Sequence, residues 1–168
     1  MAKHDPVENA WKIHQSLSDW TGKVDSKASF ALTMESIVLA TILGLSGAGR
    51  RFSNLHEWWT AVPFWLGVAA LALSVLMSIS VVAPRIRTGY VKAEAERNFI
   101  YFGHLQHWQP GDLVNELSRT DPLPNLCRQI VNMSRIAWVK HRRVQQSFYT
   151  ATAGAGLVAA AGILSQYQ

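Results

Sequence analysis

Three long apolar stretches, from about Ser26 to Gly47, Thr60 to Ala83 and Phe148 to Ile163, limit the possible folds more than any other feature. A helix needs about 20 predominantly apolar residues to cross the hydrocarbon of a bilayer. The first two stretches are nearly adjacent. The third follows only after some sixty polar, charged and aromatic residues. That spacing predicts an all-α membrane protein with three transmembrane helices, whose helical cytoplasmic extensions form a small lobe.

The second stretch carries no charged side chain from Thr60 to Ala83. Pro63 is expected in its first turn, where a missing N–H costs little. Trp58, Trp59 and Trp65 cluster at one end, as interfacial aromatics do, and Pro84, Arg85 and Arg87 mark the other. The first stretch contains Glu35. An ionisable group at such a depth is expected to face protein or water, not lipid. It reads either as a shallow glutamate near the interface or, with Ser36 and Thr41, as a pore-lining or helix-interface group. Ala31, Ala40 and Gly44 suit close helix packing, as do Gly154 and Gly156 in the alanine-rich third stretch. A buried soluble helix is the rival reading of that stretch. The preceding basic run, Lys140 to Arg143, favours a membrane span.

Residues 1–27 hold four acidic side chains (Asp5, Glu8, Asp19, Asp25) and four lysines (Lys3, Lys12, Lys23, Lys27). A cleaved signal has a basic start and an apolar core of roughly 7–15 residues, so the first span is expected to be retained. Lysine and arginine flank the N-terminal tail and both ends of the long loop, and are absent after the third stretch. By the positive-inside bias, the N-terminus and loop are expected in the cytoplasm and the C-terminus outside. The expected division is a cytoplasmic amphipathic helix over 1–27, spans over 28–47, 60–83 and 144–165, a short external loop over 48–59, a cytoplasmic lobe over 84–143 and an external tail over 166–168.

Ile13, Leu17, Trp20, Val24 and Ala28 predict one buried stripe on the first helix, which is expected to run straight into span one. At their junction, Asp25 lies two residues from Lys27 and so points elsewhere on the helix. It needs its own partner, with an arginine of the loop as the candidate. Span two is expected to continue as a helix past Arg87 to about Leu105, with Phe99 and Phe102 on one face. Pro110-Gly111 and Asp121-Pro122-Leu123-Pro124 punctuate the lobe around a short helix over about 112–118. A long helix from about Asn125, with Leu126, Ile130, Met133, Ala137 and Val144 on one stripe, then leads into span three.

Residues 84–143 carry ten Lys or Arg against five Asp or Glu, a local surplus of five positive charges. Positive-inside bias and anionic lipid account for part of it. Arg97, Arg119 and Arg128 lie further along the loop and suit a phosphate or an oligomer interface. No phosphate-cradling glycine loop, dinucleotide fingerprint or HExxH motif is present. His104 and His107 lack companions for a convincing metal site, and the single Cys127 excludes an internal disulfide. The chain is expected to be no enzyme, to need no cofactor or metal and to bind no nucleic acid.

Asp25-Ser26-Lys27-Ala28 before span one, Asn98-Phe99-Ile100-Tyr101-Phe102-Gly103 in the loop and Gln129 to Lys140 (QIVNMSRIAWVK) before span three together resemble the Pycsar effector transmembrane family. These are small bacterial antiphage effectors paired with pyrimidine cyclases, and the resemblance covers nearly the whole chain. It implies a protein of the bacterial inner membrane. That protein would oligomerise and break the membrane barrier on a cyclic nucleotide signal, cyclic CMP or cyclic UMP, made by a partner cyclase. Some such effectors carry a recognisable cyclic-nucleotide-binding domain, for which this chain has no room. Either its own lobe senses the signal or another protein does. The sensing candidates are Asp25, Lys27, Arg97, Asn98 and Arg128. The alternative is a non-conducting scaffold or regulatory subunit that docks a soluble signalling enzyme.

Overall fold

The computed structural model describes residues 5–47, 49, 52, 55, 57–84, 91–96 and 98–167. Among them are six α-helices: α1 (Pro6–Leu45), α2 (Trp58–Val82), α3 (Val91–Ala95), α4 (Phe102–Leu105), α5 (Pro110–Arg119) and α6 (Leu123–Leu164), followed by a 3₁₀ turn over Ser165–Tyr167. Three of them, α1, α2 and α6, are long and apolar enough to cross a membrane. The chain divides into two units, a lobe (1–23 and 84–139) and a membrane unit (24–83 and 140–168). Helices α1 and α6 are each unbroken through that division.

Local chemistry explains the helix ends. The Asp5 carboxylate accepts from the Val7 N–H at 2.9 Å, and Pro6 opens α1 without needing a donor. Asp121 accepts likewise from the Leu123 N–H at the start of α6. Pro110 opens α5, with Asp112 in its first turn and Arg119 in its last, both favourable to the helix dipole. Helix α2 begins at Trp58, so Pro63 falls in the second turn rather than the first.

Span two does not continue past Arg87. Helix α2 stops at Val82, and Ala83 turns to φ −59°, ψ 127°. Pro84 is the cause, because its ring clashes with a helical conformation of the residue before it. The expected helix to Leu105 is replaced by two short helices, α3 and α4. Phe99 lies between them and is buried, while Phe102 is 69% exposed, so the two do not share a face. Arg85 and Arg87, used above to mark the end of span two, lie outside the described residues.

In the membrane unit each helix buries a seam with alternating steps of three and four residues. Helix α2 buries Thr60, Phe64, Gly67, Leu71, Ser74, Ser78 and Val81. Helix α6 buries Val144, Ser147, Gly154, Val158 and Ala161, with Ala151 half-buried. Helix α1 buries Val24, Ala28, Ala31, Glu35 and Ile42. A sustained 3.5-residue repeat is the coiled-coil period and favours left-handed packing of knobs into holes. Two apolar clusters form along it. One holds Ile42, Phe64, Val68, Leu71, Val158 and Ala161, and the other Val24, Ala28, Val81 and Val144.

Helices α2 and α6 approach closely where glycine meets glycine. A Cβ built on Gly67 would stand 2.7 Å from the Gly154 carbonyl oxygen, and one on Gly154 would stand 2.8 Å from that of Gly67. Backbone cannot yield as a flexible side chain can. Gly154 thus serves the close contact expected of it. Gly156 does not: nothing lies within 4 Å of its would-be Cβ.

In the lobe, Val91, Ala95, Phe99, His104, Leu126 and Ala137 are buried. The Trp108 indole N–H donates to the Ala95 carbonyl at 2.9 Å and lies 3.2 Å from that of Asn98, tying down the end of α3. A Cβ on Gly103 would collide with the Tyr101 ring, so glycine there lets the ring lie flat on the chain.

Candidate functional site

Among the described residues, one constellation of polar groups in each unit bears on function. In the membrane unit it is Glu35, 5% exposed, which meets Ser78 and Ser147. Ser78 Oγ donates to Glu35 Oε2 at 2.9 Å, and Ser147 Oγ donates to Oε1. The two hydroxyls stand 2.8 Å apart. All three residues occupy seam positions, one on each spanning helix. Along every helix they fall between the two apolar clusters. Hydroxyls inside a bundle hold helices together because lipid offers them no partner. The carboxylate is turned to protein and away from lipid, as its depth requires.

Ser36 and Thr41 are exposed, and Thr41 Oγ1 donates to the Ile37 carbonyl of its own helix. The structure therefore brings Glu35 to two serines and leaves Ser36 and Thr41 on the outer surface. Ser78 and Ser147 are the residues that the sequence reading missed. Continuing the seven-residue register from Phe64 to Leu71 and Ser78, or from Gly154 back to Ser147, would have found both.

Toward the lobe end of the same unit, Lys140 Nζ donates to both carboxylate oxygens of Asp25, at 2.6 and 2.8 Å. The partner expected for Asp25 is thus a lysine of α6 rather than an arginine. Arg143 donates to Ser80 Oγ at 3.3 Å, so α2 also carries a polar contact at this end. Lys27 is exposed.

The lobe contains the second constellation, a cavity of about 780 Å³. Its volume lies in the usual range for small-molecule sites, roughly 300–1,000 Å³. One wall is the face of α6 bearing Asn125, Arg128, Asn132 and Arg135, which recur every three to four residues. The opposite wall comes from α3, α4 and the chain between them, with Glu94, Asn98, Tyr101 and His104. Asn98 ties the walls together. Its amide N–H donates to the Glu94 carbonyl at 2.8 Å, while its Oδ1 accepts from Arg128 at 3.1 Å.

Two predicted sensing residues, Asn98 and Arg128, are therefore paired in one cavity. Asp25 and Lys27 are not among its lining residues, and Arg97 lies outside the described residues. Two guanidinium groups against one carboxylate favour an anionic guest, since a planar guanidinium has several donors for phosphate oxygens. Among the described residues, no three His, Cys, Asp or Glu side chains gather as a metal site. Cys127 is a free, exposed thiol.

Three spanning helices, two of them extended into a helical lobe, define a multi-pass all-α membrane protein. Residues 9–166 match the Pycsar effector protein domain, and the chain belongs to that family. No curated protein and no solved structure matches it.

Proposed function

We propose that this chain is an antiphage effector of the bacterial inner membrane that breaches the membrane barrier when its lobe takes up a cyclic nucleotide. The observation that carries this reading is the course of α6. One unbroken helix bears Arg128 on the cavity wall and Ser147 and Gly154 in the membrane seam. A ligand that repositions the first segment acts on the same continuous helix that holds the second.

Among the described residues the seams of the membrane unit pack against one another, and three helices from one chain are too few to enclose a wide aqueous pore. Disruption therefore requires several copies, and the exposed Phe102, Val114 and Leu117 of the lobe supply apolar surface for such assembly. Glu35, with its two serines, is the group whose exposure would accompany opening. Asp25 acts with Lys140 as a clamp between α1 and α6 rather than by contacting the ligand. Cyclic CMP or cyclic UMP, made by a paired cyclase, is the activating ligand in this reading. The protein does no chemistry on it. The N-terminus and lobe lie in the cytoplasm and the C-terminus outside, as the distribution of lysine and arginine supports.

Expression in bacteria beside a pyrimidine nucleotide cyclase tests this. Collapse of the membrane potential, read with a potential-sensitive dye, is expected only when the cyclase is active. A potential held steady while the nucleotide accumulates would instead favour the docking scaffold.

A further inference from the structure

Among the described residues, the buried side-chain nitrogens without a hydrogen-bond partner belong to His104, which lines the lobe cavity. It is 8% exposed, and neither imidazole nitrogen has a hydrogen-bond partner. Nε2 stands 3.5 Å from Glu94 Oε2, near enough for electrostatic attraction but beyond good hydrogen-bond geometry. Tyr101 packs edge-on against the ring, with centroids 5.2 Å apart, and so fixes its plane. Buried polar atoms are almost always paired, so the unpartnered imidazole of this lining residue gains a partner if a guest displaces the atoms that now cover its nitrogens.

We propose that His104 reads the base of the nucleotide held in this cavity, its Nδ1 accepting an N–H from the base edge while Arg128 and Arg135 hold the phosphate. The choice of nitrogen follows from Glu94. A carboxylate only accepts, so the ring nitrogen facing it carries the proton in the neutral imidazole. Nδ1 is then the acceptor. Arg128 spends one N–H on Asn98 Oδ1, and its guanidinium retains further donors for phosphate. Tyr101 offers an aromatic surface beside the base. The proposal rests on the lobe cavity being the nucleotide site.

The test uses the full-length protein in nanodiscs, with calorimetric titration of the 3′,5′-cyclic monophosphates of uridine, cytidine, adenosine and guanosine. Wild type, His104→Phe, His104→Gln and Arg128→Ala are compared, with circular dichroism to check folding. In His104→Phe, affinity for the preferred nucleotide is expected to fall about tenfold or more, and the preference among bases to flatten. His104→Gln, whose amide oxygen still accepts, should recover part of both. Arg128→Ala should weaken all four nucleotides alike. If Arg128→Ala weakens binding while both His104 variants keep wild-type affinity and preference, the role of His104 is overturned and the cavity reading stands. If wild type binds none of the four, or Arg128→Ala binds as wild type does, the cavity reading fails and the role of His104 falls with it.

Discussion

In the membrane unit every seam position of α2 from Thr60 to Val81 is buried, whereas in the lobe α5 buries none of its ten residues. Helix α6 shows the same contrast along its own length. Val144, Ser147, Gly154, Val158 and Ala161 are buried in its second part. In its first part Leu126 and Ala137 are buried, but Ile130 and Met133 between them are only half-buried and Trp138 is 72% exposed. The membrane unit spends its side chains on self-packing, with small residues and a satisfied carboxylate. The lobe leaves an open cavity, an unpaired imidazole and apolar surface. One unit is built to hold a shape and the other to meet something else. Substitutions in the first should therefore act on stability, and those in the second on binding.

The sharpest way to break that contrast is at the glycine crossing. Gly67→Ala or Gly154→Ala places a methyl against backbone carbonyl and should destabilise the protein by about 2–3 kcal/mol, measured by unfolding in detergent micelles. Gly156→Ala on the same helix meets nothing and should instead stabilise by about 0.5–1 kcal/mol. Equal effects at Gly154 and Gly156 would deny that the seam is the packed face.

Glu35→Ala removes the common acceptor of two buried hydroxyls and should cost about 1–3 kcal/mol. It should also alter toxicity or dye leakage without preventing membrane insertion. Unchanged leakage and toxicity would reduce Glu35 to a packing residue. Asp25→Ala leaves Lys140 unpaired and should cost about 1 kcal/mol at most, since the pair is only partly buried and is screened by solvent. Adding salt should shrink that difference, and Lys27→Ala should show almost none. In the lobe, Arg128→Ala should change stability by less than about 0.5 kcal/mol while lowering nucleotide affinity severalfold. A large loss of stability there would make Arg128 structural and erase the contrast between the units.

The three spans were legible from apolar length alone, and so were the proline breaks before α5 and α6. The buried face of α1 was legible only in part, since Leu17, Val24 and Ala28 of the expected stripe are buried. Apolar periodicity selects Ile13 and Trp20, yet these are 52% and 55% exposed. The seam runs instead through Ala10, Leu17, Val24, Ala28 and Ala31, with His14 and Thr21 half-buried beside it. Closely packed helices choose small residues for the contact, so ranking by hydrophobicity takes in Ile13 and Trp20 and passes over Ala10. The same reasoning explains why Ser78 and Ser147 escaped notice: a serine in an apolar span reads as neutral until a carboxylate is found opposite. Of the candidate sensing residues, Asn98 and Arg128 were readable as polar groups but not as a pair, because they lie 30 residues apart and meet only through the packing of the lobe.

Dye leakage from liposomes of anionic bacterial lipid carrying the purified protein brings both units into one measurement. Leakage is expected to begin when cyclic CMP or cyclic UMP is added, and to be lost in Arg128→Ala while that variant remains inserted and folded. Leakage that is equally strong without nucleotide, or that persists unchanged in Arg128→Ala, would contradict the link between lobe and membrane.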